Sequence, residues 1–505
     1  MRSRCLPNTR THVLEFILDW VSDPSASQQN ILWLYGMAGS GKSTLATTIA
    51  STFNDSGCLG AFLFFDRDVM ERSDPAMVFR TLAYQLASSN PDIGEAIREV
   101  VEKNANIWIL PLRLQFIRLL LEPLSTFKHL SNTIVVVLDG LDECGTARER
   151  GELLEILTTD FIHLPFCIRA IITSRADIDI YHAFSSKHHI LAYELDISSP
   201  AISDDILSYF RIRMSLIRGQ QRYLQLATDW PGEDTLRKLV QRASGLFVWA
   251  STASEFINGH HPIKRLDIIL KGDIVSGAEV ALDTLYKSAL ESVGLWDDDD
   301  FVSEFRAILG IVLVAYRPFS SCAIDALLHL PHDRPSMHTL SLLSCVLQQH
   351  PTVRIVHPSF RDFLMNRARC GRDIWFFDES SYHRHLAFHC LDCMDVVLKQ
   401  NMCDLSLSQE SWDECIPDGV SYSCVFWIDH VRVLEANDMP LVHRLRSFVF
   451  CHLLHWIETM SILKRSRDTI PLLHHLINWL SVRRKTPLVG KTTHLQLSVV
   501  AAFYR

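Results

Sequence analysis

Five short apolar runs punctuate the N-terminal part of the chain: Ile31–Tyr35 and the stretches 59–65, 134–138, 168–173 and 190–195. Each is apolar at successive positions instead of alternating, the pattern of a strand covered by helices on both faces, as in a parallel sheet. Between the first two runs, Leu45, Ile49, Ala50 and Phe53 mark one face of a helix that begins near Lys42. Upstream, residues 12–21 also follow helical spacing until Asp23-Pro24-Ser25 breaks it. Strand and helix in alternation predict a doubly wound α/β domain over about residues 30–199.

Beyond Pro200 the spacing is helical almost throughout, most clearly over 202–213 and 235–257. Between Phe301 and Met365, three helical stretches precede a short β-like piece at 353–356 and one more helix, the order of a winged-helix unit. From about Tyr382 the chain is rich in Leu and His and again helical. The expected organisation is a helical lead-in (1–29), an α/β domain (30–199), a helical domain (200–275), a winged-helix-like domain (276–370) and a C-terminal helical region (371–505).

Gly36-Met37-Ala38-Gly39-Ser40-Gly41-Lys42-Ser43 fits G-x-x-x-x-G-K-[ST] and stands between a predicted strand and a predicted helix. In such a loop, successive main-chain N–H groups turn toward a phosphate and the following helix directs its positive end at the same anion. Lys42 supplies a point charge for the β and γ phosphates, Ser43 a hydroxyl for Mg²⁺, and Thr44 completes the first turn of the helix. The nucleotide-binding set at this loop is Gly36, Ala38, Gly39, Ser40, Gly41, Lys42, Ser43 and Thr44. The run ending at Leu138 enters Asp139-Gly140-Leu141-Asp142-Glu143, which places carboxylates at the sheet edge beside the loop. Asp139 is the expected Mg²⁺ partner, and Asp142 or Glu143 the group that orients an attacking water. The run ending at Thr173 delivers Ser174-Arg175, a cation able to register the γ-phosphate.

Composition narrows the classes. At 505 residues, 48% hydrophobic and 21% charged, the chain exceeds a single core and is too apolar for disorder. Its formal net charge of −9 argues against general nucleic-acid binding. Thirteen cysteines without framework spacing, and no secretory signal at the start, predict reduced thiols and a cytoplasmic protein. The longest strongly apolar run, 307–316, is far below the roughly 20 residues of a membrane span and reads as a buried helix; no membrane partner is expected. Asp297 to Asp300 reads as a solvated acidic turn.

Together these elements resemble the NACHT class of STAND nucleotide-switch ATPases, particularly the NLR-like proteins of basidiomycete fungi with a nephrocystin-3-like module. Cys5-Leu6-Pro7-Asn8-Thr9-Arg10 is similar to the family's Gly-Thr-Arg lead-in, with Asn8 in place of Gly. Asp139 to Glu143 resembles the family's Walker B segment and Thr173-Ser174-Arg175 its sensor strand. Ala243 to Val248 resembles the helical-domain segment that packs near the base, with Phe247 where many relatives have Pro. Ile355 to Leu364 resembles the winged-helix segment whose histidine touches the diphosphate in the closed state, here His357.

The resemblance implies an ASCE-type five-stranded parallel sheet and a switch between ADP-bound and ATP-bound forms, with Mg²⁺. Thr9, Arg10, Arg175 and His357 join the nucleotide-binding set on that ground. It further implies slow, resetting hydrolysis and self-association through the NACHT domain. Effector and sensor partners are left unspecified, and so is adenine against guanine. The effector and sensor-repeat modules usual in the family have no counterpart between Met1 and Tyr504-Arg505. Two other classes stay open: a turnover ATPase or small-molecule kinase, and a scaffold that nucleotide merely stabilises. The single His389-Cys390-x-x-Cys393 group, the pair His260-His261 and the histidines 452, 455, 474 and 475 read as structural; no metal site beyond Mg²⁺ is expected.

Overall fold

The computed structural model of the protein describes residues 4–23, 29–104, 106–127, 133–221, 225–271, 277–401, 416–435 and 438–482. Pro24-Ser25, the expected boundary at 275/276 and the stretch through Tyr504-Arg505 lie outside the described residues. The chain divides into two units, Met1–Ser288 and Ala289–Arg505.

In the first unit, β1 (Ile31–Tyr35), β2 (Leu59–Phe64), β3 (Ile134–Asp139), β4 (Ile168–Ser174) and β5 (Ile190–Glu194) form one sheet in the order β2-β3-β4-β1-β5. Every neighbouring pair is parallel, so all five carboxyl ends share one edge. β4 separates the strand that enters the glycine loop from the strand that enters the acidic segment, the ASCE arrangement. In register, Tyr35 stands opposite Ser174 and Asp139 opposite Thr173. Three predicted functional segments therefore leave the sheet side by side.

Alternate residues of each strand serve opposite faces. Ile31, Trp33, Val136, Leu138, Ala170 and Ile172 pack on one side against α3 (Val78–Ser89) and α4 (Gly151–Thr159). Leu32, Leu34, Val135, Val137 and Ile171 pack on the other against Val13, Ile17 and Trp20 of α1 (Thr11–Ser22) and Leu45, Ile49 and Phe53 of α2 (Lys42–Asp55). Both faces of β1, β3 and β4 exclude water, which is why these strands show no polar alternation in sequence, whereas the edge strand β5 exposes Ala192 and Glu194. Two of the buried sheet residues also carry polar duties. Trp33 Nε1 donates to Ser174 Oγ at 2.8 Å, pinning the end of β4 to β1. α5 (Ile178–Phe184) lies between β4 and β5, and after the sheet come α6 (Pro200–Gln220), α7 (Glu233–Ala243) and α8 (Phe247–Ile257).

The second unit is helical. Helices α9 (Asp299–Val314), α10 (Ser321–Leu328) and α11 (Ser336–Leu342) precede an antiparallel pair, β6 (Leu347–Gln348) with β7 (Arg354–Ile355), and then α12 (Pro358–Leu364). β6 is two residues long, too short for any periodicity to announce it. The acidic run at 297–300 is more than a solvated turn: Asp298 accepts from the N–H groups of Asp300 and Phe301 and caps α9, whose positive end favours the neighbouring carboxylates. The long helices that follow are α13 (Glu379–Val397), α14 (Asp418–Arg432), α15 (Met439–Ile462) and α16 (Ser466–Val482). Cys390 is buried and Cys393 half-buried in α13, and among the described residues no three or more His, Cys, Asp or Glu side chains gather as a metal-binding group. No helix among them is long and apolar enough to cross a membrane.

Candidate functional site

The glycine loop closes between β1 and α2. Gly41 caps α2 with φ +94, a left-handed conformation that L side chains rarely adopt. Ser40 N donates to Met37 O at 3.3 Å, tightening the loop, and Ser40 is fully buried with its Oγ lacking a hydrogen-bond partner. Lys42, first residue of α2, folds its Nζ onto the loop's own carbonyls, Gly36 O at 2.7 Å and Met37 O at 2.8 Å. Desolvation pushes its ammonium down to about 8, against the pull of Asp142, while Arg175 adds to the depression and Asp139 and Glu143 oppose it. Lys42 thus feels all three carboxylates of the acidic segment and Arg175 together. Gly36 and Gly39 are buried, Met37 is exposed, and Ala38, Ser43 and Thr44 are partly exposed around the loop.

Asp139 ends β3 completely buried, and its Oδ1 accepts from Thr173 Oγ1 at 2.6 Å. Gly140 N donates to both Thr173 O and Thr173 Oγ1 at 3.0 Å, so β4 fixes the turn that follows. Asp142 receives the main-chain N–H of Arg175 at 3.0 Å on Oδ1 and Arg175 Nε at 3.3 Å on Oδ2. Glu143 Oε2 accepts from Arg67 N at 3.4 Å. The three segments therefore meet on one sheet edge, with one addition: Asp142 and Arg175 are already joined.

Arg150 carried no sequence signal, yet it holds this edge in place. It is 4% exposed, pairs both nitrogens of one guanidinium side with Asp179 at 2.7 and 2.9 Å, and reaches Asp177 at 3.1 Å. Its Nη1 donates to Asp142 O at 3.1 Å and Gly145 O at 3.3 Å, tying the acidic segment to the start of α5. Nothing in the spacing of Arg150 distinguishes it from a surface arginine, because its partners lie across the fold.

The lead-in reaches the loop from behind. Asn8 and Arg10 have φ of 63° and 59°, both left-handed. Asparagine is among the non-glycine residues most tolerant of that region, which accounts for Asn8 at a position where relatives have Gly. Thr9 is buried, its hydroxyl donating to Leu6 O at 2.7 Å. Arg10 is 7% exposed, its Nη2 hydrogen-bonds Ser40 O and its guanidinium lies 4.9 Å from the Phe247 ring. The segment 243–248 also touches the loop, since Val248 N donates to Gly39 O at 3.1 Å. His357 belongs to the second unit, where its Nδ1 accepts from Ser359 N at 3.2 Å and caps α12.

Comparison with known proteins follows the same lines. Residues 11–175 match the family described as "Nephrocystin 3, N-terminal". The chain is 24% identical over 495 residues to vegetative incompatibility protein HET-E-1 of Podospora anserina, covering 89% of this chain and 34% of that protein. It thus spans about a third of the length of that curated relative. Among solved structures, a STAND protein with a tetratricopeptide repeat sensor from Pyrococcus horikoshii is 13% identical with a TM-score of 0.42, covering 100% of this chain and 66% of that one. A Walker-type ATPase of Pyrococcus abyssi is 12% identical with a TM-score of 0.35, covering 72% of this chain and 98% of that one. With glycine loop, acidic strand end and Arg175 gathered on one edge of a β2-β3-β4-β1-β5 sheet, the first unit has the fold of an ASCE-type P-loop NTPase domain, and the part of it that carries these segments is similar to the "Nephrocystin 3, N-terminal" family.

Proposed function

We propose that the protein is a nucleotide-operated switch that binds ATP and ADP with Mg²⁺ at the P-loop, rests closed with ADP and self-associates through the NACHT domain when ATP opens it. Its setting is fungal signalling or nonself recognition, a reading supported by the name of the Podospora relative. The observation that carries the switch is the Asp142–Arg175 pair beside Lys42.

The residues at hand suit a bound nucleotide. A desolvated ammonium whose recorded partners are two carbonyls of its own loop, next to a buried, unpartnered Ser40 hydroxyl, is an arrangement that an anionic tail would complete. Lys42 would turn from Gly36 O and Met37 O to the β and γ phosphates, while the loop N–H groups and the start of α2 hold the rest. Ser43 and Asp139 would hold Mg²⁺, which supplies charge neutralisation between the two terminal phosphates when bound. Thr9 and Arg10 flank the loop from the lead-in, and His357 is the candidate contact of the second unit with the diphosphate.

Arg175 registers the γ-phosphate by exchanging one oxyanion for another. While it holds Asp142, each carboxylate oxygen already has one partner, which leaves the aspartate fewer sites with which to orient a water. Hydrolysis waits on release of the pair, with Glu143 or the freed Asp142 orienting the water. Turnover is accordingly slow, below about 1 s⁻¹, the low end of ordinary enzymes.

Native mass spectrometry of the purified chain tests this reading. We expect a co-purified nucleoside diphosphate, its loss in Lys42→Ala, and a shift to larger assemblies with the triphosphate. A chain that takes up no nucleotide with Mg²⁺ present would overturn the proposal.

A further inference from the structure

In a P-loop the main-chain N–H groups face the phosphates, so the carbonyls of the same peptides face outward. Two of those outward carbonyls are gripped here. Gly39 O accepts from Val248 N, the second residue of α8, at 3.1 Å. Ser40 O accepts from Arg10 Nη2. Arg10 is itself held on three sides. Its main-chain N–H donates to Asp205 Oδ2 of α6 at 3.0 Å, its guanidinium stacks 4.9 Å from the Phe247 ring, and its own carbonyl accepts from Leu14 N at 3.0 Å to start α1. The Phe247 ring in turn meets Tyr209 of α6 edge-on at 6.2 Å. Burial weakens the Arg10 guanidinium's hold on its proton and Asp205 opposes this in part; the group stays a cation, as arginines do.

We infer that Arg10 is a positioning residue that couples the P-loop to the helices behind it. Through Ser40 O and the Phe247 ring, with Asp205 as anchor, it makes the loop's phosphate-bound conformation the one in which α8 is docked. The inference rests on nucleotide binding at this loop, and adds which elements respond to it. The reasoning is geometric. When a phosphate draws the N–H groups of Gly39 to Lys42 inward, the peptide planes tilt as rigid units and their carbonyls move with them. Val248 N and Arg10 Nη2 are the groups on the other end of those carbonyls. Gly245 leaves α8 little freedom to follow passively: an added Cβ there would lie 2.0 Å from Ile197 O, so this turn is pressed against the chain that leaves β5. A tilt in the loop therefore reaches the first turn of α8 as strain or relief in a short, stiff link.

Hydrogen exchange on the full chain, with and without Mg-ADP, reads this link at peptide level, alongside nucleotide affinity from a fluorescent ADP analogue. In the wild-type protein we expect nucleotide to slow exchange both in the peptide covering Ser40 to Ser43 and in that covering Phe247 to Trp249. In Arg10→Met, which keeps an unbranched apolar stem and removes the guanidinium, affinity should fall about tenfold, the loss of one charge-assisted hydrogen bond. At saturating nucleotide the loop peptide should still be protected, while the response at 247–249 disappears. Arg10→Lys restores the charge without the planar stack and should recover affinity more than it recovers the α8 response. Phe247→Leu, which leaves every loop hydrogen bond in place, should uncouple α8 with affinity changed less than threefold. A residue of purely structural value would instead speed exchange in both peptides equally, with and without nucleotide. Retention of the nucleotide response at 247–249 in both Arg10→Met and Phe247→Leu overturns the inference. Failure of the wild-type chain to bind the analogue overturns the site reading itself, and the coupling with it.

Discussion

Asp142 and Arg175 meet twice: the aspartate takes the arginine's main-chain N–H at 3.0 Å and its Nε at 3.3 Å, one on each carboxylate oxygen. The side chain of Asp142 is 5% exposed and that of Arg175 26%, so the pair sits at the margin between protein and solvent, where an arriving anion can compete for the arginine. Arg175→Ala should lower affinity for the triphosphate about tenfold and change affinity for the diphosphate less than twofold, since only the former presents a γ-phosphate. Titration of both nucleotides against the variant checks this. An equal loss for the two would remove Arg175 from the sensing role.

Lys42 makes nucleotide binding pH-dependent on the alkaline side. Burial holds its pKa at about 8 in the free protein, and an anion drawn to it raises that value. Binding is then fully developed below pH 8 and declines as pH rises through 8, because the proton must be supplied on binding. Calorimetry near pH 8 in buffers of different ionisation enthalpy should reveal net proton uptake. Proton release there, or a flat affinity up to pH 10, would contradict the assignment.

Arg150 should behave as a residue of the site's framework. Replacing it with Met leaves Asp142 O and Gly145 O without their donor and Asp177 and Asp179 without their cation, for a loss of about 3 kcal/mol in stability. Arg150→Lys should recover little, because a single ammonium cannot span two carboxylates and two carbonyls at once. Urea unfolding of both variants decides the point, and a loss below about 1 kcal/mol in either would count against it.

Gly245 has φ +79, and its Cα faces the Ile197 carbonyl too closely for a methyl group. Gly245→Ala should destabilise the protein by at least about 2 kcal/mol from backbone strain and overlap together. The measurement is the urea midpoint, with an unchanged midpoint as the failing result.

The second unit contains a buried histidine pair, His383 Nδ1 to His430 Nδ1 at 2.8 Å, with Tyr422 OH at 2.7 Å from His430 Nε2. Burial holds His383 down to about 4, with Glu379 opposing and Arg361 adding; burial and His383 hold His430 well below its ordinary range. Both values lie below those of the unfolded chain, so the stability they contribute is complete above about pH 6.5 and is lost as pH falls toward 4. Asp429, pushed up to about 6 by burial against the pull of Arg432, takes up its proton early and offsets part of that loss. The thermal midpoint should fall between pH 7 and pH 5, and His383→Gln should flatten the slope. An identical slope in the variant would show that the pair does not titrate with unfolding.

Much of the candidate site's edge was legible because it is local in sequence. A strand, a glycine loop and a helix start are contiguous from Ile31 to Phe53, and an acidic segment directly follows its own strand at Asp139. The apolar runs were enough to read a covered parallel sheet, since burial on two faces leaves its mark on nearly every residue of β1, β3 and β4, while the edge strand β5 exposes Ala192 and Glu194. Asp298 and β6 mark the other limit: a capping carboxylate looks like any acidic residue, and a two-residue strand exists only through its partner.

What the chain's order of residues determined by itself is the inventory of the phosphate site, because the backbone geometry of a P-loop needs specific residue types at consecutive positions. Which side chains brace that loop was decided only by the folded structure. Arg10 with Ser40 and Asp205, Arg150 with Asp179, and Val248 with Gly39 are separated by long stretches of sequence and become neighbours through the packing of whole elements. A hydrogen bond between distant segments leaves no periodic trace, since each partner answers to the geometry of the fold and not to its own neighbours in the chain.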